Sequence, residues 1–327
     1  MDQSHLQSAN LDFETTLVNT HFRRFKGISM VLLGAALWGI SGTAAQVLFQ
    51  RDGYHPGWLV TVRMGISGVI LLLSMSWITG WRNVFAIWNS RSDALRVLVF
   101  GVFGLLGVQY SYFRSIQYGN AATATLLQYL GPVLITLYLA WRHRKQPSRS
   151  EWTAVLLALC GTFFLVTDGK WGDIAISASA VVWGVVSAIA LAFYTLYPKP
   201  LLQKYGSALI TGWAMLIGSF FVGLANPPWQ VSGILTIGSC GLISFVVIFG
   251  TLLAFYLYLS SLKYISATET SLLSSAEPLS ATLVAVLFLH VHMGFDALLG
   301  GVCIVATVFL LARPQPIVHF QKPSDHE

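Results

Sequence analysis

Hydrophobic residues along this chain gather into ten runs, near 27–49, 57–80, 94–117, 120–141, 151–167, 177–198, 207–225, 233–260, 266–289 and 295–312. Gly, Pro, Asn and charged residues collect between them, as they do where helices stop. Polar positions do not alternate with apolar ones inside the runs, so the pattern is not that of barrel strands. About 20 mostly apolar residues carry a helix across a hydrocarbon layer of roughly 30 Å, and only helices or closed barrels satisfy their backbone groups there. The pattern therefore predicts an all-α integral membrane protein with ten transmembrane helices. The first residues carry Asp2, Asp12 and Glu14 instead of a basic lead, so the first run is expected to be a retained helix, not a cleaved signal. Residues after Arg313, with Pro314, Pro316 and Pro323, are expected to form a short solvated tail.

Composition strengthens this picture. Of 327 residues, 55% are hydrophobic and 10% charged, where a soluble domain carries about 25% charged residues, and the mean hydropathy is +0.67. The isoelectric point near 9.3 does not point to nucleic acid, because the basic residues are dealt out singly between apolar runs. Their distribution fits the enrichment of Arg and Lys in short cytoplasmic loops. With the N-terminus inside, 15 of the 19 Lys and Arg fall on the cytoplasmic side, Arg51 and Lys170 fall outside, and Arg63 and Arg114 lie within runs. Ten helices with both termini cytoplasmic follow as the expectation. Cys160, Cys240 and Cys303 each sit inside an apolar run without metal-like spacing and read as small core residues.

One stretch occurs twice. Phe103 to Pro132 can be laid without a gap on Phe249 to Pro278, with 11 of 30 positions identical, among them Tyr110/Tyr256, Tyr112/Tyr258, Ser115/Ser261 and Pro132/Pro278. The copies cover the third and fourth runs and the eighth and ninth. Five helices separate them, and an odd number reverses direction, so the halves are expected to face opposite ways in the membrane. The predicted organisation is a cytoplasmic tail over 1–26, a first five-helix repeat over 27–167, a second over 168–312 and a cytoplasmic tail over 313–327. Elsewhere the repeat is faint: Glu151 to Leu165 can be laid on Asp296 to Leu310.

Several residues stand out against this apolar background. Glu277 lies about ten residues into the ninth run, which at roughly 1.5 Å per residue is near the bilayer centre. A carboxylate there costs at least about 2.5–3.5 kcal/mol and needs a partner, water or a proton. Its neighbour Pro278 lacks an N–H and leaves a carbonyl one turn earlier without its helical donor. Proton coupling, amine binding and stabilisation of the proline kink all stay open for Glu277. Arg63 lies about six residues, roughly 9 Å, from the outer end of the second run. It holds a substrate carboxylate, pairs with Glu277, or snorkels outward. Arg114, close to the outer end of the third run, is expected to snorkel. Gln109, Tyr110, Gln128, Tyr129 and Tyr256 place hydrogen-bonding groups at depth, either lining a cavity or joining helices. Trp38 and Trp183, each followed by glycine, wall a pocket or pack helices. Pro132 and Pro278 mark helix breaks. Gly101, Gly104 and Gly107 recur every three residues and suit close helix packing. His290 and His292 make a poor metal pair and are placed at the external boundary.

The chain resembles the drug/metabolite transporter superfamily, specifically its EamA-type ten-helix branch of two five-helix repeats. Leu37-Trp38-Gly39, Arg63, Ala121 through Pro132, Gly172-Asp173 and Glu277-Pro278 carry the resemblance, which covers about residues 27–312. It implies secondary transport of small metabolites, often amino acids or other organic solutes and frequently as export, through a central cavity between the repeats. Family members often carry a glutamate in a Gly-Glu step about a dozen residues after the proline. Here those regions read Arg142-His143-Arg144-Lys145 and His290-Val291-His292, so no role of that glutamate carries over.

The expected function is thus alternating-access transport of a small organic metabolite, an amino acid or related zwitterion, in the direction of export. A multidrug or amine efflux carrier is the alternative, and an intramembrane enzyme or a channel the rival classes. Neither a His-Glu-x-x-His motif nor a Gly-x-Ser-x-Gly elbow is present, so no enzyme is expected. The expected partners are a small-molecule substrate, a proton or other ion gradient and the lipid bilayer. No cofactor, metal or nucleic acid is expected, and pairing into a homodimer stays open.

Overall fold

The computed structural model describes residues 3–311 apart from 143, 145, 147, 168–175, 262–263, 266–269, 271–272, 275 and 292. Gly172, Asp173, His292 and the tail from 312 lie outside the described residues. Within them the chain is helical, with no strand. Its elements are α1 (Gln3–Gln50), α2 (Pro56–Thr79), α3 (Trp81–Phe85), α4 (Arg91–Val99), α5 (Gly107–Tyr118), α6 (Ala121–Gln128), α7 (Gly131–Arg142), α8 (Arg149–Thr167), α9 (Ala178–Leu196), α10 (Lys199–Tyr205), α11 (Ser207–Ala225), α12 (Ile237–Val247), α13 (Ala254–Ser261), α14 (Ala276–Leu289) and α15 (Phe295–Leu311). The expected N-terminal tail is helical from Gln3 and continuous with the first span.

Seven helical stretches are long and apolar enough to cross a membrane: Arg23–Gln50, Pro56–Thr79, Arg91–Tyr118, Ala121–Arg142, Ala178–Leu196, Ser207–Ala225 and Ile237–Tyr258. Helices α8, α14 and α15 occupy the three remaining apolar runs. At 14 residues, α14 spans only about 21 Å, because Pro278 and the turn at Ser274 interrupt the ninth run. The chain is a multi-pass membrane protein, and its surface is apolar accordingly: Trp77 is 91% exposed and Ile237 96%.

Two irregularities recur at matching places. The chain winds as a π-helix over Phe100–Leu106, between α4 and α5, and again over Ile248–Leu253, between α12 and α13. Residues 102–106 and 248–252 correspond in the ungapped alignment, so each copy carries an extra residue in the same turn. The fourth run breaks after Gln128, with Tyr129 and Leu130 in a turn, and the ninth turns at Ser274. Pro132 and Pro278, which cannot donate to the carbonyls four residues back, follow these turns.

Packing respects the same correspondence. Helix α2 packs on α11 and α8 on α15, while α5 lies on α9 as α13 lies on α1, and α7 lies on α9 as α14 lies on α1. Exchanging each helix for its counterpart in the other half reproduces this set. Small residues make the close contacts. A Cβ at Gly39 would lie 2.5 Å from the Glu277 carbonyl oxygen and 2.7 Å from the Ala281 nitrogen, and one at Gly184 2.8 Å from the Leu127 side chain. Gly39→Val is therefore expected to lower stability by about 1–3 kcal/mol, read as a depressed melting temperature in detergent. Gly241→Ala, with nothing near its would-be Cβ, should leave the melt unchanged. Gly101 faces Ile217 of α11 and Gly107 faces Ala190 of α9, so this glycine series serves two neighbours.

Hydrogen bonds close the end carrying the α1–α2 connection. Ile234 N–H donates to the Asp52 carbonyl at 3.0 Å, the His55 N–H to Ser232 Oγ at 2.8 Å, Trp58 Nε1 to the Pro228 carbonyl at 3.1 Å and Thr61 Oγ1 to the Asn226 carbonyl at 3.0 Å. The buried Tyr54 hydroxyl donates to the Ile234 carbonyl at 3.2 Å. The segment between α11 and α12 is thus strapped over residues 52–61. At the opposite end Lys204 Nζ meets Asp93 Oδ2 at 2.6 Å, joined by the Tyr205 hydroxyl at 2.9 Å.

His55 also caps α2, its Nδ1 accepting the Gly57 N–H at 3.2 Å, which requires that nitrogen to be unprotonated. Burial first, then the Arg114 charge, hold its pKa below the ordinary 6.5, opposed by a hydrogen bond with Asn226. The folded protein disfavours the imidazolium, so the stability that His55 contributes is full above pH 6.5 and is lost as pH falls through the lowered folded value. A melting temperature that drops on acidification in the wild type, and drops less in His55→Asn, which keeps a capping acceptor, is the expected outcome.

The three cysteines correct the sequence reading. They are free, but Cys160 and Cys240 are exposed on the outer surface and Cys303 is half-buried against Gly161 of α8, so two of the three lie outside the core. An apolar run meant for lipid has two kinds of interior, protein and hydrocarbon, and composition does not separate them. His290 follows the end of α14 with φ of 51°.

Candidate functional site

A cavity of about 620 Å³ lies between the halves of the chain. Helix α1 contributes Trp38 and Ser41, α2 Arg63, α5 Gln109 and Tyr112, α13 Phe255 and Tyr258, and the two breaks Tyr129, Ser274 and Glu277. It extends past Tyr194 to Pro198, Leu202 and Ser207, near the end held by Lys204 and Asp93, whereas the strapped segment 226–236 does not line it. A hollow of about 690 Å³ among Trp141, Arg142, Arg144, Gln146 and Trp152 is a surface groove at the α7–α8 connection, flanked by tryptophans 77% and 50% exposed.

Glu277 occupies a different local structure from the one its sequence position suggested. It is the second residue of α14, where unpaired N–H groups and the helix dipole favour a carboxylate, not the middle of a continuous helix. Its own N–H donates to the Ser274 carbonyl at 2.9 Å. That carbonyl, which Pro278 cannot serve, also accepts the Tyr129 hydroxyl at 2.7 Å. The Tyr129 oxygen is 3.5 Å from Glu277 Oε2.

Arg63 is 5% exposed, so it does not snorkel. Its guanidinium lies 4.8 Å from the centre of the Phe113 ring, and its Nε is buried without a hydrogen-bond partner among the described residues. One turn on, the Ser67 hydroxyl is likewise buried and unpartnered. Buried polar atoms are satisfied in the great majority of cases, so this Nε on a cavity-lining arginine marks a place for an acceptor. Arg63 and Glu277 line the same cavity but form no ion pair within 4.0 Å.

Of the other expected site residues, Trp38, Gln109, Gln128 and Pro132 line the cavity. Trp38 packs on Phe255 and Tyr258 at 5.1 and 5.2 Å. Gln128 also joins helices, its Nε2 donating to Ser187 Oγ at 2.6 Å. Tyr110, Trp183 and Tyr256 lie elsewhere. Tyr110 and Trp183 pack edge to face at 5.7 Å away from the cavity, and Tyr256 is 64% exposed on the outer surface. The reason is helical phase. Cavity-lining residues of the third run are Phe100 and, beyond the π-turn's start, Leu105, Val108, Gln109, Tyr112 and Phe113, the last five on one face at spacings of three and four, and position 110 falls off it. The same phase puts Phe255 and Tyr258 on the wall and turns Tyr256 outward. That periodicity was the available signal for Tyr112, Phe113 and Tyr258, which the sequence reading did not single out as site residues. Arg114 is held by Gln117 and Tyr118 at 2.7 Å each and packs over the Trp183 ring, outside the cavity. No cluster of three His, Cys, Asp or Glu occurs among the described residues.

The EamA-like transporter family matches this chain twice, over residues 25–167 and 178–313. The chain belongs to that family. It is 37% identical over 291 residues to the uncharacterized inner membrane transporter YicL of Salmonella typhimurium, covering 88% of this chain and 95% of the relative. It is 25% identical over 278 residues to the uncharacterized transporter YwfM of Bacillus subtilis, covering 83% and 88%. The aromatic amino acid exporter YddG of Ancylobacter novellus is 24% identical over 271 residues, covering 77% and 88%. A solved crystal structure shares the fold, with a TM-score of 0.58 at 18% identity over 89% of this chain and 96% of that one. The family and these relatives are named as transporters, not enzymes.

Proposed function

We propose that this protein is a secondary transporter that exports an amino acid or related zwitterion by alternating access. The observation carrying this reading is the buried Arg63, its Nε without a hydrogen-bond partner among the described residues, sharing one membrane-embedded cavity with Glu277. Arg63 takes the substrate carboxylate, as a guanidinium does best when both its edges find oxygen, and Glu277 takes the ammonium group or the coupling proton. The repeats, over 27–167 and 168–312, run in opposite directions. The fivefold-offset helix contacts and the recurring π-turns and breaks support that arrangement. With the termini cytoplasmic, the cavity reaches toward the cytoplasm at Pro198 and Ser207, while the strap over residues 52–61 closes the outer side. Rocking one half against the other then exchanges the two. The aromatic amino acid exporter among the relatives supports an amino acid over a simple amine, and so does the cationic Arg63, which repels an amine lacking a carboxylate.

Proteoliposomes given a panel of radiolabelled amino acids and amines, with and without a pH gradient, test this reading. Gradient-dependent movement of at least one amino acid is expected. Equal transport of amines lacking a carboxylate by the wild type and by Arg63→Met would overturn it.

A further inference from the structure

We propose that the groove at the α7–α8 connection holds the headgroup of an anionic phospholipid, with Arg142 and Arg144 on its phosphate beside the indoles of Trp141 and Trp152. The inference is independent of the transported substrate. Helix α7 ends at Arg142 and α8 begins at Arg149, so the connection lies where two apolar runs meet water. Tryptophan and tyrosine gather at that boundary, and Trp141, 6.2 Å from the Tyr138 ring, and Trp152 are both exposed there. Past the helix end, Arg144 turns the chain with φ of 51° and donates its N–H to the Trp141 carbonyl at 3.2 Å. Both arginines line the groove of about 690 Å³, with Gln146 beside them and Leu137 and Ala140 of α7 as its apolar wall.

Charge and shape together select the occupant. Arg142 and Arg144 form no ion pair among the described residues. The nearest acid along the chain, Glu151, accepts the Ser148 N–H at 2.6 Å at the start of α8 and does not line the groove. Two uncompensated guanidiniums, each able to give a phosphate two parallel N–H bonds, suit a headgroup of net negative charge. They repel the ammonium of a zwitterionic one. A soluble phosphate needs no apolar wall, whereas the acyl chains below a headgroup do, and Leu137 and Ala140 supply one next to the cations. A second copy of this chain docked symmetrically on this face would set arginine against arginine. An anionic lipid satisfies both halves of the groove.

Native mass spectrometry of the full chain, titrated in detergent with phosphatidylglycerol or phosphatidylcholine of identical acyl chains, tests the site. The anionic lipid should bind about 10- to 30-fold tighter, the scale of two basic residues near an anionic headgroup. In the wild type that preference should shrink as ammonium acetate is raised, a reading that needs no variant. Arg142→Gln with Arg144→Gln should erase the preference. Arg82→Gln with Arg91→Gln, which removes the same charge elsewhere, should keep it. All four side chains are exposed, so both double variants should melt as the wild type does. Equal affinity of the wild type for the two lipids, equal losses in the two double variants, or a preference that survives Arg142→Gln with Arg144→Gln would overturn the site. Displacement of bound phosphatidylglycerol by free glycerophosphate would overturn it too, giving the groove to a soluble anion instead.

Discussion

Glu277→Gln should abolish the pH dependence of transport and lower its rate by about 100-fold at the wild-type optimum, the scale expected when one member of a buried charge contact is removed. The side chain occupies the same space and keeps two hydrogen-bonding atoms, so folding and membrane insertion should be retained. Glutamine neither carries the charge that recognises an ammonium group nor exchanges a proton. Uptake into proteoliposomes across a range of internal and external pH measures both. A variant transporting at wild-type rates with an unchanged pH profile would remove Glu277 from the mechanism.

Arg63→Met carries the second large expectation, and it has two halves of opposite sign. Transport of a carboxylate-bearing substrate should fall about 10- to 100-fold, the value of a hydrogen bond to a charged group. Stability without substrate should rise, because a cation buried against Phe113 with an orphaned Nε is exchanged for a side chain of similar length that has no charge to desolvate. The melting temperature in detergent and the uptake rate, measured on the same preparation, should move in opposite directions. If both fall together, Arg63 serves the fold and not the ligand.

How much of this was legible in sequence depended on what kind of order was being read. The apolar runs located the helices, because hydrocarbon thickness imposes a length that composition records directly. The copy of Phe103–Pro132 at Phe249–Pro278 pointed to the breaks and to the proline-linked glutamate. What escaped was angular. Tyr110 and Tyr256 attracted attention as matched polar groups, yet the wall is built by Gln109, Tyr112 and their counterparts at spacings of three and four, with Tyr110 turned onto Trp183 and Tyr256 turned outward. Depth along a run says nothing of azimuth around it. The bond from Tyr129 to Ser274 escaped for another reason: its acceptor, a backbone carbonyl in the other half, has no identity in a sequence.

The paired π-turns have a consequence for how the third and eighth runs can change. Winding advances about 100° per residue in an ordinary helix, but each π-turn takes up one extra residue within a single turn, so deleting one residue within Phe100–Leu106 would restore regular winding there and leave the residues after it on the same face. The same deletion in the regular winding just ahead of Gln109 would swing Gln109, Tyr112 and Phe113 out of the cavity together by roughly that angle. Single substitutions adjust the pocket one contact at a time, and the two π-turns are the places where these runs can lose a residue without re-aiming a whole wall.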